Sequence, residues 1–114
     1  MKKLIVIIGV LVLLSACKTT DTLYYHGEYN KLVYTYFKGD SAAPQEQIAA
    51  LHNIIQTAES KGKPVAPGVH AHLGLLYFES GDDAMGQQHF EYEKTLFPES
   101  AQYLDFLLSS RKGV

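Results

Sequence analysis

Apolar residues follow two different regimes along this chain. Leu4 to Leu14 form one apolar block, interrupted only by Gly9. From Leu23 onward the apolar residues recur with helical spacing instead. Tyr25, Tyr29, Leu32, Val33, Tyr36 and Phe37 fall on one face of a helix, because residues three and four apart share a face. Lys38-Gly39-Asp40-Ser41 breaks that helix, and Pro44 suits the first turn of the next. Ile48, Leu51, Ile55 and Ala58 mark a second amphipathic face, and Lys61 to Gly68 make a turn-rich connector. Further helices are predicted over about Val69 to Ser80, Asp83 to Leu96 and Ser100 to Arg111. No alternating strand pattern competes, so the expected fold is all-α, with about five helices after the amino-terminal segment.

That segment has its own logic. Lys2 and Lys3 precede the apolar block, which spans 11 residues. A bilayer crossing needs about 20 apolar residues, so the block suits the core of a cleaved signal peptide. It ends in Leu14-Ser15-Ala16-Cys17, which resembles the lipobox of bacterial lipoproteins. The thiol is the nucleophile that takes up a diacylglyceryl group. Small residues at Ser15 and Ala16 let a peptidase reach the bond before Cys17, whose freed amine is then acylated. The alternative is an ordinary signal peptide with an incidental thiol. On the lipobox reading, residues 1–16 are the signal peptide, 17–22 a polar tether and 23–114 the helical domain. The only prosthetic chemistry is then covalent lipid on Cys17, with palmitate among the expected chains. Two or three acyl chains, at about 0.8 kcal/mol per buried CH₂, hold a membrane far more firmly than one. In the sorting rule of Gram-negative lipoproteins, Asp after the cysteine retains a protein on the inner membrane. Lys18 stands there, which implies the periplasmic face of the outer membrane.

Composition narrows the field further. The chain has 114 residues, 46% of them hydrophobic, enough for one small domain. Setting aside Lys2 and Lys3 leaves eight basic residues against 12 acidic ones. Such a balance gives no footing for nucleic acid, whose phosphates are bound by Lys and Arg. A single Cys excludes an internal disulfide, so the fold rests on its core.

Residues 70 to 98 resemble the tetratricopeptide repeat, a helix–turn–helix unit of about 34 residues. Leu73-Gly74, Tyr77, Gly81-Asp82, Phe90, Leu96 and Pro98 match its pattern in register. His70, Gly86 and Glu93 depart from it, and Glu93 is expected to loosen the seam to the next helix. Residues 29–63 form a candidate degenerate copy. The resemblance implies antiparallel helix pairs and a concave surface. Ala71, Leu75 and Phe78, with Glu79 at their edge, occupy its groove positions. Two readings are open for them: a groove for a segment of another protein, or core covered by the Tyr-rich first helix folding back. The last helix is apolar on more than one side, and a partner or second copy is one way to cover it.

The strings Tyr24-Tyr25-His26-Gly27-Glu28-Tyr29, Pro67 to Gly74 and Phe90 to Ser100, followed by Asp105-Phe106-Leu107-Leu108, are similar to a family of small uncharacterised bacterial lipoproteins. Members are commonly encoded beside a lipoprotein resembling the curli secretion channel. This resemblance implies a part in an outer-membrane assembly, with other envelope lipoproteins or a second copy as partners. It implies no catalytic residue.

Other chemistry finds little footing. His70 and His72, two apart on a helix, point to different sides, so with His89 they make a poor metal site and none is expected. Asp82-Asp83 sits where a helix start favours acids near exposed N–H groups. No nucleophile, zinc or phosphate-loop motif appears. The expected function is a non-enzymatic interaction subunit held on the membrane by lipid. The alternative, a protein binding a small envelope ligand or peptidoglycan fragment with weak hydrolase activity, requires carboxylates converging on one pocket. Glu79, Asp82 and Glu91 are its only clustered candidates.

Overall fold

A computed structural model describes residues 1–5, 7, 22–39 and 43–112. The lipobox residues Leu14, Ser15, Ala16 and Cys17, the sorting position Lys18 and most of the 17–22 tether lie outside the described residues. Between residues 29 and 112 the chain forms α1 (Tyr29–Lys38), α2 (Pro44–Ser60), α3 (Val69–Glu79), α4 (Asp83–Leu96) and α5 (Ala101–Lys112). A single 3-10 turn at Pro98–Ser100 leads into α5. The described residues contain no strand, and the fold is all-α.

Local signals set most boundaries. Gly39 ends α1 in the left-handed region and donates its N–H to Tyr36 O. Pro44 occupies the first turn of α2. Asp82 Oδ1 accepts the Met85 N–H at 3.1 Å and caps α4.

The first helix begins at Tyr29, six residues later than the periodicity from Leu23 suggests. Tyr25 makes an isolated parallel bridge to Val65 instead. Its N–H donates to Pro64 O at 2.8 Å, and its carbonyl accepts the Ala66 N–H at 3.1 Å. The α2–α3 connector thus supplies the backbone partners that a helix would have supplied locally, and Gly27 at φ 51° turns the chain into α1. Tyr25 still packs on the core. The helical spacing recorded its burial, not its backbone conformation.

Two apolar clusters meet along α3. In the first, Leu51, Ile54 and Ala58 of α2 pack on Val69, Leu73 and Leu76 of α3, with Tyr29, Leu32 and Tyr36 of α1 laid against them. In the second, Phe78 of α3 and Phe90 of α4 pack with Leu104 of α5, flanked by Ala71, Leu75, Leu107 and Leu108. The Tyr-rich α1 therefore covers a different face of α3 from the one that the fold-back reading gave it. Tyr29 and Tyr36 set their rings against His72, 6.1 and 4.8 Å between centroids. The stripe Ala71, Leu75 and Phe78 is covered by α5.

Early residues of α3 meet late residues of α4, so the pair is antiparallel, and two glycines set its spacing. A Cβ on Gly74 would stand 2.5 Å from Phe90 Cδ1 and 2.9 Å from Gly86 O. A Cβ on Gly86 would stand 2.7 Å from the Phe78 ring. Each phenylalanine thus sits on the other helix's glycine, and the two rings meet edge to face at 5.2 Å. Gly86, a departure from the repeat pattern, is required by this contact.

Glu93, another departure, acts on the preceding helix rather than at the seam to the next one. Gly68, the N-cap of α3, has no side chain to accept the helix's first N–H groups. Glu93 reaches across from α4 and accepts the N–H of Gly68 at 2.7 Å and of Ala71 at 3.2 Å. It is almost fully buried, at 2% exposure. A carboxylate at a helix start also meets the positive end of the helix dipole.

Gly86→Ala is expected to destabilise the domain by roughly 1–3 kcal/mol through overpacking against Phe78. Urea unfolding measures this. Combining it with Phe78→Leu should cost less than the two changes added, because the clash is shared. Strict additivity would contradict the reciprocal packing.

Candidate functional site

Two clefts flank the α3–α4 pair. The first, about 500 Å³, is lined by Leu75, Phe90 and Leu107, with Ser110 and Arg111. Arg111 helps to build it. Its guanidinium carbon lies 4.2 Å over the Phe78 ring, while Nη2 donates to Asp83 Oδ1 at 2.9 Å. One residue thus ties the end of α5 to the start of α4 and roofs an aromatic side chain.

The groove positions divide here. Leu75 lines the cleft and is half-buried. Phe78 lies beneath, 7% exposed, and Ala71 is half-buried in the same cluster. Glu79 lies apart from them. It is exposed and accepts the Tyr36 hydroxyl at 2.5 Å, a bond that pushes the phenol up to about 12. Next to this cleft α5 carries two large exposed rings, Tyr103 and Phe106. Neither Leu107 nor Arg111 was among the groove positions that the sequence pointed to. The signal available was the same helical spacing, since Leu104, Leu107, Leu108 and Arg111 share a face of α5.

The second cleft, about 460 Å³, opens between α2 and α4. Ile55, Ala58, Val65 and Leu96 give it a carbon wall, and His52, His70, His89 and Tyr92 line it as well. The histidines come from α2, α3 and α4. His70 Nδ1 and His89 Nδ1 are 3.1 Å apart, so one carries the proton that the other accepts. His52 Nε2 lies 2.8 Å from the Tyr77 hydroxyl. His89 is stacked between His70 and Tyr77, at 5.3 and 5.5 Å between centroids. His72 belongs elsewhere, beneath α1, as its position two residues from His70 requires.

Burial governs the charge of this stack. It pushes His89 down to about 4, helped by the neighbouring His70 and His52. His70 is lowered by burial and by His52, and His72 by burial against the opposing pull of Glu79. All three are neutral near pH 7. Among the described residues, no three or more His, Cys, Asp or Glu are arranged to hold a metal ion. The carboxylates are dispersed too: Glu79 serves Tyr36, Asp82 caps α4, and Glu91 pairs with Lys94 at 3.0 Å.

A family model described as Domain of unknown function (DUF4810) matches residues 23–107, and the chain belongs to that family. The match spans everything from the Tyr25 bridge to Leu107 at the first cleft. No curated protein and no solved structure matches the chain. Among the described residues no helix is long and apolar enough to cross a membrane.

The histidine stack makes stability depend on acidity. Unfolded histidine takes up a proton near 6.5, whereas folded His89 resists until about 4. Stability in urea should therefore fall as pH drops from about 6.5 toward 4. Glu93 acts in the opposite sense, since burial raises its carboxyl and makes the folded state the better proton acceptor. The decisive measurement is the comparison with His89→Phe, whose stability should decline less over this interval. Superimposable profiles would exclude the stack as the cause.

Proposed function

We propose that this member of the DUF4810 family is a lipid-anchored protein of the periplasmic face of the outer membrane. There it serves as a non-enzymatic interaction subunit of an envelope complex. The lipobox-like Leu14-Ser15-Ala16-Cys17 supports the anchor, and Lys18 supports the choice of membrane. The similarity to lipoproteins encoded beside a secretion-channel-like lipoprotein supports a complex of that kind. The reciprocal glycine contacts and the short turn between α3 and α4 favour a tetratricopeptide-like pairing, a framework for binding segments of other proteins.

One observation carries the interaction reading. The cleft at Leu75, Phe90 and Leu107 is walled by carbon and edged by Ser110 and Arg111, with Tyr103 and Phe106 exposed on α5. Aromatic side chains and arginine are the residue types enriched at protein interfaces. The occupant is an apolar segment of another envelope protein, a neighbouring lipoprotein or a second copy of this chain. A hydrolytic ligand-binding role would want paired carboxylates, and Glu79, Asp82 and Glu91 are each committed elsewhere.

Two outcomes are expected. Cys17→Ala should abolish incorporation of labelled palmitate and move the protein from the membrane to the soluble fraction. A membrane-bound, unlabelled wild type would remove the anchor from the proposal. Leu107→Asp should keep the helical circular-dichroism spectrum and lower co-purification with envelope partners at least tenfold, while Ser109→Asp on the same helix leaves it unchanged. A folded Leu107→Asp protein that retains every partner would exclude this cleft.

A further inference from the structure

The amino-terminal segment reaches the domain at the mouth of the α2–α4 cleft. Lys63, part of the cleft lining, donates from Nζ to Thr22 O at 3.3 Å. Tyr25 is bridged to Val65, another lining residue. Cys17 is five residues before Thr22. An extended chain of that length spans at most roughly 17 Å. A group carried by Cys17 therefore starts no farther than that from Thr22, which is held to the lining residue Lys63.

The interior of the cleft suits hydrocarbon. Ile55, Ala58, Val65 and Leu96 present aliphatic carbon. His70 and His89 spend one nitrogen each, Nδ1, on the other, while His89 Nε2 is buried without a partner. Glu59 and Lys63 supply charge to the lining, on the α2 end from which the tether departs. The volume of about 460 Å³ falls within the range of small-molecule sites, which are mostly apolar. A metal ion finds no set of three or more His, Cys, Asp or Glu among the described residues. A polar ligand would leave the aliphatic wall without a counterpart.

Resting on the lipidated reading of Cys17, we propose that the α2–α4 cleft receives one fatty acyl chain of the protein's own Cys17 lipid whenever that chain is outside a bilayer. The cleft then shields an acyl chain that would otherwise meet water, and a membrane withdraws it by offering a larger apolar volume. The partner cleft at Leu75 and Leu107 lies on the other side of the α3–α4 pair, so the two occupants do not compete.

The test uses the full-length protein from cells fed a palmitate analogue with a diazirine at the chain end. The purified protein is diluted below the detergent's micelle threshold, irradiated, digested and mapped by mass spectrometry. Intact mass before irradiation reports acylation separately, so an unacylated chain overturns the lipid reading itself. With acylation established, adducts are expected on peptides of α2, the 61–68 connector and the late part of α4. Leu96→Glu, at a half-exposed wall position, should lower them at least fivefold without changing the helical spectrum. Adducts confined to detergent, or scattered over α1 and α5, would overturn the proposal. Adducts joining two chains, seen as doubled mass, would also overturn it and assign the cleft to a neighbour's lipid.

Discussion

Two phenylalanine rings, each seated on a glycine of the opposite helix, fix the distance between α3 and α4. The other features of the domain depend on that close approach. Glu93 reaches the start of α3 only because the backbones are near enough for its short side chain to span the gap. The His70–His89 hydrogen bond needs the same spacing. The two clefts lie on either side of the pair, so their walls are set by it. A conventional side chain at either glycine would move α4 outward and change all of these together.

The buried carboxylate of Glu93 shows how a departure from a repeat pattern can be required by its surroundings. Removing a charge from water is costly, and hydrogen bonds to a charged group return about 1.5–3 kcal/mol each. Glu93 accepts N–H groups that α3 would otherwise leave without partners, because Gly68 has no side chain to accept them. Gly68 cannot readily be replaced by a conventional capping residue, since a Cβ there would stand 2.6 Å from the Tyr29 hydroxyl. The acid on α4, the glycine before α3 and the tyrosine on α1 form one arrangement drawn from three distant parts of the chain.

Much of the fold was legible from the sequence because helices bury residues at a spacing visible in one dimension. The ends of α3, α4 and α5 fall within a residue of expectation, since Gly68, Asp82 and Pro98 mark them locally. Tyr25 misled because the same spacing served a residue whose backbone bonds go to Pro64 and Ala66. The role of Glu93 was hidden for a related reason: its partners are backbone N–H groups, which leave no mark in a side-chain pattern. The groove residues were half legible. Leu75 lines a cleft and Phe78 supports it, but nothing along the chain told that α5 rather than α1 would cover them. His52 went unnoticed because only folding brings it beside His89.

The bonds at the entry of the chain also decide which way the molecule faces. Thr22 and Tyr25 are fastened to the α2–α3 connector, and Tyr24 sets its ring edge-on to Phe97, 5.7 Å away. All of these contacts gather at one pole of the bundle. Arg111 and Asp83 meet at the other, beside the turn between α3 and α4. With the lipid anchor proposed above, the connector pole is the one nearer the tether and the Arg111 pole the one farther from it. On the proposed anchoring, a partner that grips the domain there arrives from the side away from the tether, without first having to approach the membrane.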